Sequence, residues 1–231
     1  MMLDIIRIHN ELLGTYGDRG NADVLAFRAH LNGIPAKVSD ISFNDKLPKT
    51  ADIYLMGGAE DAAQALSLSA LKEDGRLAKA VAAGAALFAV CAGFQIIGES
   101  FVNGQNEEVA GLGLLDVSTV PGAIRYVGDI KVSSTVIDCE LTGFENHGGH
   151  TTLGAGVKPF GKVMVGYGNG AGVFDGAING KVLGTYLHGP VLARNPELAD
   201  YLLEQVTGAK SLDFQDVLAN EYALWRRKVT K

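Results

Sequence analysis

The stretch Ala85-Ala86-Leu87-Phe88-Ala89-Val90-Cys91-Ala92-Gly93-Phe94-Gln95 decides the reading of this chain. An apolar run with the length of a buried strand stops on a cysteine, passes through small residues and gives way to a helical pattern from Phe94 to Ser100. The thiol would then sit at a tight strand-to-helix turn, where a helix N-terminus offers unpaired N–H groups and a positive dipole end. Such a site favours a thiolate and an oxyanion, which makes Cys91 a candidate nucleophile. Taken alone, Cys91 also reads as a small hydrophobe, because free cysteine is among the most buried residue types. His188 changes the balance: in Gly184-Thr185-Tyr186-Leu187-His188-Gly189-Pro190 a second strand pattern, Val182 to Leu187, ends on a reactive side chain. Groups beyond the carboxyl ends of parallel strands share one crevice, so the pattern brings Cys91 and His188 together as nucleophile and base.

The surrounding pattern predicts an α/β fold. Leu3 to Ile8, Ala36 to Ile41 and Asp52 to Met56 read as strands, Ala22 to Leu31 as a helix, and a further helix from about Asp74 to Ala83 leads into the strand before Cys91. These repeated units predict a mostly parallel sheet flanked by helices. The second half changes character: Ile130 to Ile137 and Lys162 to Tyr167 join Val182 to Leu187 as short β segments separated by glycines, which predicts additional antiparallel strands. Pro196 to Val206 reads as a proline-opened helix, and a helical tail follows from about Asp213. No domain boundary is evident, and residues 1–231 are read as one domain.

Composition narrows the function. A formal charge of −6, with no basic cluster except Arg226-Arg227-Lys228 near the end, argues against nucleic-acid binding. No segment approaches the ~20 apolar residues of a transmembrane helix, and no signal-like N-terminus is present, so a cytoplasmic location is expected. Two cysteines do not make a disulfide framework. Cys139, near the strand-like Val136 and Ile137, reads as structural. There is no G-x-x-x-x-G-K-[ST] phosphate loop and no metal-ligand spacing, so neither ATP nor a metal is expected on this chain. His9, His30 and His150 read as surface or turn residues.

Met56-Gly57-Gly58-Ala59-Glu60 follows a strand, and its glycines let backbone N–H groups approach a ligand, although Gly-Gly is also common in ordinary turns. Together with Cys91, Gln95 and Gly-Thr-Tyr-Leu-His-Gly, this segment resembles the class I glutamine amidotransferases, specifically the cobyric-acid-synthase-like branch. Phe144-Glu145-Asn146-His147-Gly148-Gly149 resembles the branch's segment beside the glutamine pocket. Leu13-Gly14-Thr15-Tyr16-Gly17-Asp18-Arg19-Gly20-Asn21 and Arg125-Tyr126-Val127-Gly128-Asp129-Ile130 are similar to motifs of the stand-alone glutaminase subunits of lipid II isoglutaminyl synthases. Five motifs in order, spanning the chain to about Leu203, carry the resemblance.

The resemblance implies an amidotransferase fold and hydrolysis of L-glutamine through a Cys91 thioester. Ammonia would pass to a Mur-ligase-like partner subunit that holds ATP and any metal. That partner would amidate the D-glutamate α-carboxyl of lipid II to D-isoglutamine in peptidoglycan synthesis, at the inner membrane face where this substrate lies. His188 is then the acid and base, the N–H groups of Gly58 and Ala92 the oxyanion donors, Arg125 the clamp on the substrate α-carboxylate, and Gln95, Asn146 and His147 residues of the glutamine pocket. Two departures stand out: Ala89 replaces a glycine usual in the family's turn, and Pro190 occupies the position where class I triads carry a glutamate. The cobyric-acid-synthase-like branch also lacks that glutamate, so the resemblance implies a Cys–His dyad of Cys91 and His188, with Asp18 as an acidic residue implicated in activity that could equally cap the helix beginning near Asn21. Arg125 by itself reads as a surface arginine. The segment Glu221 to Lys228 fits either a docking helix or an amphipathic helix closing over its own core. Competing functions are an amidotransferase for another acceptor such as a corrinoid precursor, a γ-glutamyl hydrolase acting alone, and a binding module without activity.

Overall fold

A computed structural model describes residues 2–170, 172–208 and 217–230. In chain order the elements are β1 (Leu3–Ile8), α1 (Asn10–Leu13), α2 (Gly20–Leu31), β2 (Ala36–Ile41), β3 (Ile53–Met56), α3 (Asp61–Asp74), α4 (Arg76–Ala82), β4 (Ala86–Val90) and α5 (Ala92–Ile96). There follow β5 (Ser100–Val102), β6 (Glu108–Ala110), β7 (Val117–Ser134), β8 (Glu140–Leu153), β9 (Gly161–Val165), β10 (Phe174–Asp175), β11 (Ala177–Asn179), β12 (Val182–Thr185), α6 (Val191–Arg194), α7 (Pro196–Thr207) and α8 (Val217–Val229).

The first sheet has the order β11-β12-β4-β3-β1-β2 and is parallel except for β11. β3 and β4 are buried along their whole length, as expected of central strands covered on both faces. The second sheet, order β10-β9-β7-β5-β6 with β8 paired to β7, is antiparallel apart from β5 with β7. Ile130, Val132 and Leu141 of the second sheet share one hydrophobic core with Leu87, Phe88 and Leu183 of the first. The α/β class with antiparallel strands in the second half is therefore the observed architecture.

Several boundaries differ from the sequence reading. The helix after Cys91 is Ala92–Ile96, and Ser100 already begins β5. Just beyond its end, Gly98 packs so closely on Val117 that a Cβ there would stand 2.8 Å from the Val117 carbonyl oxygen. The helix expected from Asp74 is α4, preceded by the unread α3, and Gly75 separates the two in a left-handed conformation (φ 61°) that costs glycine little. The strand expected at Ile130 to Ile137 begins at Val117 and ends at Ser134, with its register to β8 broken between Pro121 and Tyr126. β9 stops at Val165 and β12 at Thr185. His188 lies beyond β12, paired by its backbone with Phe144 at 2.8 and 3.1 Å.

Cys139 falls in the turn between β7 and β8, half-buried. Burial pushes its thiol up to about 11, with the Glu197 charge adding to the shift. His9 is not a surface residue: it is 1% exposed, and its Nδ1 lies 2.9 Å from Ser67 Oγ. His30 is exposed, and His150 lies partly buried within β8. The tail is helical from Val217, while 213–216 lie outside the described residues. No helix among the described residues is long and apolar enough to cross a membrane.

Candidate active site

Four segments end at the carboxyl edge of the first sheet and supply the site. β4 runs into Cys91, the extension of β12 into His188, β3 into Gly57 and Gly58, and the loop after β1 and α1 into Asp18. Cys91 takes φ 54° and ψ −110°, a conformation that L-residues rarely adopt and that costs about 1–3 kcal/mol. Its surroundings enforce it: the Cys91 N–H donates to the Thr185 carbonyl (2.9 Å), its carbonyl accepts from Gln95 N–H (3.0 Å), and Gly93 N–H donates to Gly57 O (3.1 Å). Gly93 is required here, since a Cβ would sit 2.8 Å from Met56 Cβ. Ala89 lies in β4, fully buried between Gly184 of β12 and Met56 of β3, where the absent side chain of Gly184 leaves room for its methyl.

His188 is 2% exposed, and its Nδ1 lies 2.8 Å from Asp18 Oδ2. A carboxylate only accepts, so this nitrogen carries the proton and donates it to Asp18. Nε2, buried and without another hydrogen-bond partner among the described residues, is left for the Cys91 sulfur. Burial acts to lower the His188 pKa, but the hydrogen bonds to Asp18 and Cys91 and their charges outweigh it and push it up to about 10. Asp18 is 4% exposed and does not cap α2; its Oδ2 also accepts from Gly58 N–H at 3.0 Å. Two residues after His188, where class I triads carry a glutamate, stands Pro190, and the acid beside His188 comes instead from the other end of the chain.

That arrangement changes the expected oxyanion pair. The Gly58 N–H is turned to Asp18, because a buried carboxylate takes the nearest donors, and only the Ala92 N–H remains, at a first helical position where α5 itself provides no acceptor. Gly58 nevertheless matters by size: a Cβ there would stand 2.7 Å from His188 Cε1 and 2.9 Å from the Tyr16 ring.

The glutamine-pocket candidates gather on one side of this centre. His147 stacks on Tyr186 (3.7 Å between ring centroids, 13° between planes), and its Nδ1 lies 3.1 Å from Gly149 O. Burial lowers its pKa despite Glu145, which favours a neutral ring. The Gln95 amide is engaged by the protein itself: Nε2 donates to Tyr186 Oη (3.1 Å), and Oε1 accepts from Gln64 Nε2 (2.9 Å). Gln95 is thus one link of a Gln64–Gln95–Tyr186–Thr151 hydrogen-bond chain. Arg125 is exposed on β7, and its Nε donates to Asn146 Oδ1 at 2.8 Å. With Nε fixed, its terminal nitrogens have no further hydrogen bond among the described residues and point a two-pronged donor outward.

Four residues of the centre were not given roles from sequence. Tyr16 lies against His188 (4.9 Å between rings) and donates to Glu60 Oε1 at 2.6 Å. Burial and that hydrogen bond push its hydroxyl up to about 12, with smaller influences from the charges of Glu60, Cys91 and Arg125. Gln64 comes from the unread α3, and Tyr186 lies in the quoted His188 motif. Glu145, 1% exposed, accepts from the N–H groups of Tyr167 (2.8 Å) and Gly168 (2.9 Å) and so fixes the loop after β9. Tyr16, Tyr186 and Glu145 all lie in motifs that carried the resemblance, which was the available signal.

Residues 4–196 match the CobB/CobQ-like glutamine amidotransferase domain. The chain is 36% identical over 216 residues to the lipid II isoglutaminyl synthase (glutamine-hydrolyzing) subunit GatD of Staphylococcus aureus, with 92% of this chain and 88% of that one covered. It is 34% identical to the GatD subunit of Streptococcus pneumoniae, covering 95% and 85% of the two chains. A probable cobyric acid synthase of Methanosphaera stadtmanae is 44% identical over 117 residues, 45% of this chain and 23% of that protein. Among solved structures, a Thermotoga maritima glutamine amidotransferase superposes with TM-score 0.57 at 16% identity over 99% of both chains, which speaks for the fold. The fold, the strand-to-helix turn at Cys91 and these relatives agree, and the chain belongs to the CobB/CobQ-like glutamine amidotransferase family.

Proposed function

We propose that this chain is the glutaminase subunit of a lipid II isoglutaminyl synthase. It hydrolyses L-glutamine at Cys91 and delivers ammonia to a Mur-ligase-like, ATP-dependent partner that amidates the α-carboxyl of D-glutamate in lipid II. The observation that carries the chemistry is the Asp18–His188–Cys91 line at the carboxyl ends of the first sheet, with His188 held charged by its two neighbours. The two GatD relatives support the acceptor, since they match over nine-tenths of this chain whereas the cobyric acid synthase covers less than half.

In the proposed reaction the Cys91 thiolate attacks the side-chain amide carbon of glutamine. The oxyanion that forms is met by the Ala92 N–H, and His188 gives its Nε2 proton to the departing nitrogen, releasing ammonia and leaving a γ-glutamyl thioester. Water then attacks the thioester with His188 accepting its proton, and glutamate leaves as the thiolate is restored. Asp18 keeps the imidazole in the required orientation throughout. Arg125, steadied by Asn146, takes the α-carboxylate of the substrate.

The reading is tested by glutamate release from L-glutamine by the chain alone and with the Mur-ligase-like subunit of its own genome, followed by ATP-dependent amidation of lipid II. Release that rises with the partner, with amidated lipid II as product, is expected. Equal release with and without the partner, and no amidation, would leave a stand-alone hydrolase. Arg125→Ala is expected to raise KM for glutamine about 10–100-fold with kcat within a few-fold, as for loss of a contact made equally in ground and transition states. Arg125→Lys should restore little of it, because a point charge does not replace the fork.

A further inference from the structure

α8 is fastened to the body of the protein on one side only. Ala223 is buried, Arg227 Nη2 lies 2.9 Å from Glu197 Oε2, and Lys131 Nζ donates to the Arg227 carbonyl at 3.3 Å. With the helix held there, Tyr222 and Trp225 remain 61% and 57% exposed, so the segment does not simply close over its own core. The two rings stand 6.4 Å apart, edge to face, and Arg226 extends over Tyr222 at 5.7 Å. Tyrosine, tryptophan and arginine are the residues that dominate binding energy at protein interfaces.

The same face continues to the catalytic edge. Arg194, at the end of α6, lies across Gly189, where a Cβ would stand 2.6 Å from its Nε, directly after His188. Arg226 and Arg194 repel one another, and among the described residues neither guanidinium lies within ion-pair distance of an acid; Asp129 attracts Arg194 from farther off. On the outer side of the β7–β8 ribbon, Val127 is 55% exposed and Phe144, whose backbone is paired with His188, is 36% exposed. An apolar and cationic strip on a chain of net charge −6 therefore runs up to the proposed catalytic histidine.

We propose that this strip, Tyr222, Trp225 and Arg226 of α8 with Arg194, Phe144 and Val127, is the docking surface for the synthetase subunit, which meets it with an acidic, apolar-centred patch. The assignment rests on the reading of the chain as an ammonia-supplying subunit. The two arginines, without an ion pair among the described residues, favour an acidic partner and speed its encounter, while the aromatic pair supplies the buried anchor. Continuity with the His188 edge selects the synthetase among acidic proteins: ammonia released at Cys91 reaches an acceptor without dilution only if the acceptor subunit covers the mouth from which it leaves.

The test is the affinity of the double variant Trp225→Ala/Arg226→Glu for the Mur-ligase-like subunit of the same genome, measured by biolayer interferometry beside wild type and a Lys79→Glu control. Kd is expected to rise at least about 10-fold in the double variant and to stay unchanged in the control. Partner-stimulated glutamate release should fall at subsaturating partner, while release by the chain alone stays at the wild-type rate. An unchanged Kd overturns the surface and leaves the subunit reading standing. No binding by the wild type overturns the subunit reading and the surface with it. If the chain alone instead sediments with phosphatidylglycerol vesicles, loses this in the double variant and keeps its Kd for the synthetase, the strip is a bilayer contact and the proposal fails.

Discussion

Cys91→Ala is expected to lower glutamate release at least about 10⁴-fold, to the background of the assay, while the protein stays folded. The proposed mechanism has no substitute for the thiol: without it no thioester forms, and His188 would have to direct water onto an unactivated amide. Stability should change little. Alanine removes a single sulfur atom from a site that is 5% exposed, and it inherits the same strained backbone at φ 54°. Cys91→Gly is the companion variant, since glycine adopts positive φ freely and should raise the melting temperature while being equally inactive. Coupled glutamate dehydrogenase assays and thermal melts on both variants separate loss of chemistry from loss of fold. Activity within 10-fold of wild type in either variant would remove Cys91 from the role of nucleophile.

How much of this was legible in sequence follows from what each residue depends on. Cys91 and His188 were readable because a buried strand is a continuous apolar run, and the residue that ends it necessarily lies at the sheet edge; β4 and β12 are adjacent, so the two ends meet. Parallel β1 and β2 and helices α2 and α7 were readable for the same reason, as periodic apolar segments with clear ends. α3 was not, because Asp61–Asp74 is rich in alanine and serine and its buried positions include Gln64 and Ser67, so polar residues stand where the helical period needs apolar ones. Missing α3 meant missing Gln64, and with it the hydrogen bond that engages the Gln95 amide within the protein. β7 was read too short because in its first half the polar Thr119 is buried and the apolar Val120 exposed, which hides the alternation, before the register breaks after Pro121. His9 misled in the other direction: a histidine at a strand end looks like surface, and only the packing of α3 puts Ser67 against it.

Asp18 was the residue on which sequence offered two readings, and it carries the second large effect. Asp18→Asn is expected to lower kcat/KM about 10²–10⁴-fold, because an amide can face His188 with its NH₂ group and hold the imidazole in the wrong tautomer. That corresponds to about 3–5 kcal/mol of transition-state stabilisation. A helix cap would behave otherwise, costing about 0.5–2 kcal/mol of stability with kcat nearly intact. The pH dependence separates the two further. His188 is raised from its ordinary value near 6.5 to about 10 in the folded protein, so the stabilisation from its interactions is fully present below about pH 6.5 and is lost as pH rises through about 10. Wild type should therefore lose melting temperature between pH 7 and pH 10 more steeply than Asp18→Asn, which lacks the charge that holds the histidine protonated, and the gap between them should narrow toward pH 10. The rate should follow the same group: because His188 must carry a proton to give to the departing ammonia, the alkaline limb of kcat/KM near pH 10 in wild type should move to lower pH in Asp18→Asn. A variant that keeps wild-type kcat/KM and an unmoved alkaline limb while melting lower would return Asp18 to a structural role and leave His188 oriented by the sheet edge alone.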